Sequence, residues 1–136
     1  MPEWECIGAH RCCTDGDVLL WRAVEVFEEP HMVQLLERVN KLLGHFQYSL
    51  LLIDCTHAQN VSPGARRLYA DWLQQNPCPR RVSLFFNASG EMQMFLLLAR
   101  RGGELLSGHR SAVEIVPDEA TAWRRIHEVR TEWAAP

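Results

Sequence analysis

Apolar positions along this chain switch between two periods, and the switches mark its elements. Glu5 to Cys13 reads as a first strand, and Thr14-Asp-Gly-Asp17 supplies an Asp-Gly turn of the kind that closes hairpins. Val18 to Phe27 alternates loosely, which suits a second strand antiparallel to the first. From Glu28-Glu-Pro30 the period changes. Met32, Leu35, Leu36, Val39, Leu42, Leu43 and Phe46 follow at three- and four-residue steps, one apolar stripe on a helix that ends at Gly44 or Gln47. Ser49 to Cys55 is a third strand, and its unbroken apolar core reads as covered on both faces, as in a parallel sheet.

The second half repeats the alternation. Cys55 to Val61 reads as a short loop, and Ser62-Pro63 then opens a helix. Serine is a favoured N-cap, and proline at the first helical position loses no hydrogen bond. Ala65, Leu68, Tyr69, Trp72 and Leu73 share one face of that helix, and Asn76-Pro-Cys-Pro79 stops it. Arg81 to Asn87 is a fourth strand. Ser89-Gly90 begins a third helix, which Gly102-Gly103 breaks or ends. Ala112 to Val116 is a short fifth strand. Pro117-Asp118 starts a last helix with Ala122, Trp123, Ile126, Val129 and Trp133 inward. The order β-β-α-β-α-β-α-β-α predicts an α/β fold over residues 1–136, with one domain. Its sheet is five-stranded, mixed but mostly parallel, and flanked by four helices.

Composition narrows the function more than the fold. The 136 residues are 47% hydrophobic and 23% charged, a globular mix, and the net charge of -3 carries no electrostatic footprint for nucleic acid. No run approaches the length of a membrane span, and the acidic start Met1-Pro-Glu-Trp-Glu lacks the apolar core of a secretory signal. Five scattered cysteines form no disulfide framework, so a reduced cytoplasm is the expected setting.

Candidate chemistry concentrates where the third strand meets the second helix, because ligands and partners of open α/β sheets gather at strand carboxyl ends. Asp54 is expected to accept hydrogen bonds from the following backbone, and Ser62 to cap the helix. Asp54, His57 and Ser62 hold the residue types of a hydrolase triad, but the strained Gly-x-Ser-x-Gly elbow is missing. Cys55 and His57 fall on opposite faces of a strand, which makes Cys55 a small core residue rather than half of a thiolate pair. Cys6, His10 and Cys12 would share a strand face, but nothing completes a tetrahedral zinc site. Met92, Met94, Phe95, Leu96, Leu97, Leu98 and Ala99 go around much of the third helix, leaving apolar surface for an interface.

The strand end Leu51-Leu-Ile-Asp54, followed by Ser62-Pro-Gly-Ala-Arg-Arg67 within this element order, resembles the STAS domain family, in particular stand-alone bacterial SpoIIAA-like proteins. The resemblance covers roughly residues 17 to 130. It implies the fold above and a non-catalytic role in binding another protein, such as an anti-sigma factor or a kinase. In the antagonist branch the helix opens on an Asp-Ser-Ser-Gly or Asp-Ser-Thr-Gly loop with a phosphorylated hydroxyl. This chain has Asn60-Val61-Ser62-Pro63-Gly64 there: the acid is missing, Pro63 stands where a second hydroxyl would be, and Ser62, one place before the phosphorylated position, is the only candidate to inherit that role.

The expected contact surface is therefore Asp54, Cys55, Thr56, His57, Ser62 and Arg66, with Met92, Phe95, Leu96 and Ala99 as a second interface, suited to a homodimer. No cofactor, metal, nucleic acid or membrane is expected. The alternative is a small-molecule or lipid carrier of the same fold, with the apolar third helix lining its pocket.

Overall fold

The computed structural model describes residues 3–78, 80–107 and 112–134, with side chains left out over 102–107. Its strands are β1 (Glu5–Ile7), β2 (His10–Asp15), β3 (Val18–Phe27), β4 (Ser49–Val61), β5 (Arg81–Phe86) and β6 (Val113–Val116). Its helices are α1 (Glu29–Phe46), α2 (Pro63–Gln75), α3 (Gly90–Ser107) and α4 (Glu119–Ala134). All six strands lie in one sheet in chain order. The steps from β1 to β2 and from β2 to β3 are antiparallel, and those from β3 through β6 are parallel.

Alternation across the pleat splits the core in two. Leu19, Trp21, Leu51 and Ile53 point to the face covered by α1, α2 and the start of α3. Val18, Leu50, Leu52, Leu84 and Phe86 point to the other, where α4 packs through Ala122, Ile126 and Val129. The stripe read on α1 is the one that packs: Met32, Leu35, Leu36, Val39 and Leu42 are buried. Gln47 ends that helix at φ 65, its N–H donating to the Leu43 carbonyl. No helix among the described residues is long and apolar enough to cross a membrane.

Three expectations change. The sheet has six strands rather than five, because Gly8 turns the chain at φ 61 and splits the first segment into a hairpin of its own. Cys6 therefore lies on β1 and is exposed, while His10 and Cys12 lie on β2 and are buried. Second, the segment expected as a loop after Cys55 is strand: β4 continues to Val61, held by β3 through pairs such as Val24↔His57 and Phe27↔Val61. Third, α3 runs through Gly102-Gly103 to Ser107. Each glycine costs a helix about 1 kcal/mol, a penalty that the Leu-rich, strongly helix-forming residues on either side offset.

Candidate functional site

β4 pairs β5 only over Ser49–Asp54, so its last seven residues run past the end of β5. Asp54 stands at that edge. Its Oδ1 accepts the Thr56 backbone N–H at 3.0 Å and the Thr56 hydroxyl at 2.6 Å, the short-range satisfaction expected of it. Asn87, just past β5 at φ 57, donates from its side-chain amide to the Thr56 hydroxyl oxygen at 3.3 Å. The register shift between Arg22 and Val24 inserts an extra residue into β4 beside Thr56, a bulge that turns the strand there.

Cys55 points into the core and is 4% exposed. Burial, with the Asp54 charge beside it, pushes its thiol up to about 12. At neutral pH it is a protonated core residue, not a nucleophile. His57, Thr56, Gln59 and Asn60 are exposed.

The chain then turns into α2. The Ser62 N–H donates to the Phe27 carbonyl at 2.8 Å, which ties the start of α2 to the end of β3. The Ser62 hydroxyl oxygen accepts the Ala65 N–H at 3.1 Å, the N-cap bond read from the sequence. Ser62 is half-buried. Ser62→Ala removes this cap and is expected to lower the unfolding free energy by about 1 kcal/mol. Urea unfolding would read this, and an unchanged midpoint would show that the cap carries no stability. Arg66, one turn on and exposed, lays its guanidinium over the Phe95 ring at 5.2 Å and so joins α2 to α3.

The start of α1 reaches the same place. A Cβ added at Gly64 would lie 1.6 Å from Glu29 Oε1, so the Glu29 carboxylate rests on the first turn of α2. The glycine permits that close approach. An acid there meets the positive end of the helix. A phosphoryl group on Ser62 would be drawn to the same amides and would face the Glu29 charge.

The residues expected on α3 divide. Met92 and Leu96 are core, at 5% and 6% exposure, and Phe95 is half-buried. Ala99 is exposed, as are the larger apolar side chains Met94, Leu97 and Leu98, at 59%, 38% and 63%. A second interface on this helix would use those outer residues. Because Met92 and Leu96 fill the core, they do not line a carrier's pocket. Of two cavities, one is a water-sized space of about 10 Å³ among Ser49, Tyr69, Trp72, Arg81 and Ser83. The other is a polar cleft of about 260 Å³ lined by Glu5, Thr14, Gln34, Glu37, Arg38, Lys41 and Leu42. Neither involves α3. Among the described residues no three His, Cys, Asp or Glu side chains converge as metal ligands.

One constellation escaped the sequence reading. His10 on β2 is 1% exposed, under the rings of Trp21 and Phe27. Its Nε2 lies 3.1 Å from Nδ1 of His31, in the first turn of α1. No periodicity links positions 21 residues apart. The available signals were a histidine within an apolar strand and a histidine at the third helical position, where a side chain can reach back to the helix start.

No family model and no curated protein matches the chain. Solved structures do. One is the anti-sigma factor antagonist SpoIIAA in its unphosphorylated form, with TM-score 0.56 and 8% identity over 96% of this chain and 98% of that one. Another is an uncharacterized protein of the DUF3478 family with a SpoIIAA-like fold, from Shewanella loihica, with TM-score 0.58 and 15% identity over 92% of this chain and 91% of that one. The fold is SpoIIAA-like. At such low identities the structural overlap shows the architecture across nearly the whole chain, and the architecture alone.

Proposed function

We propose that this SpoIIAA-like chain is a non-catalytic regulatory module of the cytoplasm that works by binding another protein. The contact surface is the exposed end of β4 and the first turns of α2: Asp54, Thr56, His57, Ser62 and Arg66. Cys55 braces it from the core. The observation that carries this reading is the placement of Ser62. It stands half-buried at a helix N-terminus, its hydroxyl capping the helix, beside a polar strand end that runs past its neighbour. A protein of this fold described as an anti-sigma factor antagonist, in an unphosphorylated form, supports both the class of partner and a phosphoryl switch. The partner we infer is an anti-sigma factor or its kinase, and Ser62 is the acceptor.

The chemistry of the surface agrees. An added phosphoryl group brings nearly two negative charges and three strong acceptors. At Ser62 it would compete with the Ala65 cap and meet Glu29, so one modification would alter two helix starts. Affinity capture from native lysate tests the reading. The wild-type protein is expected to retain one protein that Arg66→Glu loses, because the substitution reverses an exposed charge on the first turns of α2. Equal retention by both, or by neither, would contradict it.

A further inference from the structure

The His10–His31 pair has a hydrogen-bond arrangement that admits only one proton pattern. The Val24 backbone N–H lies 3.0 Å from His10 Nδ1, and the Glu28 backbone N–H lies 3.0 Å from His31 Nδ1. A backbone N–H can only donate, so both Nδ1 atoms are bare. His10 Nε2 must then carry the hydrogen that bridges to His31 Nδ1. Both rings are neutral, and each holds its proton on Nε2. A further proton would have to displace one of these bonds. On His10 it would confront the Val24 N–H. On His31 it would confront both the Glu28 N–H and His10 Nε2–H.

The bonds at stake sit on the path to Ser62. Val24 precedes Glu25, which is held at φ 60 beside a register shift in β3. Glu28 is the residue before the first turn of α1, whose Glu29 rests against Gly64. Phe27, whose ring packs on His10 at 5.2 Å, offers its carbonyl to the Ser62 N–H. We propose that the His10–His31 pair is an acid-sensitive latch. Uptake of one solvent proton breaks the Val24 or the Glu28 hydrogen bond, frees the end of β3 and the first turn of α1, and loosens the anchor of Ser62.

Among the groups around the pair the Val26 backbone favours a charged His10, and burial outweighs it. From β3 the proton meets the uncharged rings of Trp21 and Phe27, with the exposed Glu25 beside Val24. From α1 it meets His31 itself, with Glu28 and Glu29 exposed at the helix start. From the β1–β2 turn it meets Gly8, where a Cβ would lie 2.9 Å from His31 Nε2. His31 is half-buried, which gives the proton a way in. The coupling to Ser62 as a partner site rests on the function proposed above, whereas the latch itself does not.

Two NMR measurements on the full chain test it without any partner. Imidazole nitrogen shifts near neutral pH are expected to show Nδ1 bare in both rings, and a protonated Nδ1 in either would overturn the latch. Amide exchange of Val24, Glu28 and Ser62, corrected for intrinsic rates, is expected to speed up about tenfold or more on acidification while Leu51 and Leu84 stay protected. Exchange of all five only together, by global opening, would overturn it. The double variant His10→Asn with His31→Asn keeps an acceptor near the Val24 and Glu28 N–H groups but does not titrate, and it is expected to abolish the acid step. An unchanged step in that variant also overturns the latch. If the variant fails to fold, the wild-type shifts and exchange still decide. Loss of partner capture by Arg66→Glu reads the binding surface separately, so either idea can fail alone.

Discussion

Truncating Ile126 to alanine lowers the free energy of unfolding by about 3 kcal/mol, within the range for deleting a fully buried aliphatic side chain. Ile126 is 0% exposed, at the centre of the contact between α4 and the face formed by Leu50, Leu52 and Leu84. On the opposite face α1, α2 and α3 share the burial, so neighbours there can close partly over a lost side chain. The Ile126 site has one helix to adjust, and the cavity term adds to the lost transfer energy. Leu98→Ala is the control: its side chain is 63% exposed, and surface changes of this kind stay within about 0.5 kcal/mol. Urea unfolding of both variants reads the contrast. Equal losses would mean that α3 is buried against something or that α4 is not.

Acidification is the second large effect. Burial, reinforced by His31, holds His10 down from 6.5 to about 4. In the unfolded chain the imidazole returns to its ordinary value. Between the two values the unfolded state binds more protons than the folded one, so stability falls as pH falls. The contribution is whole above about pH 6.5 and lost progressively down to about pH 4, where it amounts to about 3 kcal/mol. A state in which only the latch has opened feels the same pull, so local exchange should respond before global unfolding does. Carboxylates also titrate in acid, and His10→Asn isolates the histidine. The variant keeps an acceptor within reach of the Val24 N–H and is less stable at neutral pH, but loses less on acidification. Parallel losses in variant and wild type would show that His10 does not set the slope.

The framework was legible because the apolar stripes and stops are local. The α1 stripe, the Ser62-Pro63 start and the Leu50–Ile53 run each name their element from within a few residues. Thr56 to Asn60 reads as a loop in the sequence for a physical reason: past β5 this part of β4 carries exposed polar side chains, and its strand character comes from β3, distant in sequence. The Gly8 turn leaves no sequence signal, because Gly-Ala lacks the Asn-Gly or Asp-Gly signature of a tight hairpin. At the site, Asp54 and Ser62 bond to backbone two and three residues away, so their roles could be read directly. Glu29 against Gly64 and His10 against His31 depend on tertiary packing and leave no periodic trace.

The central claim is that the start of α2 is a protein-binding surface, and its most direct measurement is a titration against the purified captured protein. Wild type, Arg66→Glu and His127→Glu are compared, His127 being exposed on α4 at the far face of the sheet. Arg66→Glu is expected to weaken binding about tenfold or more, the scale of one substantial interface contact, while His127→Glu binds like wild type. Equal affinities for all three, or a loss confined to His127→Glu, would contradict the assignment of the surface.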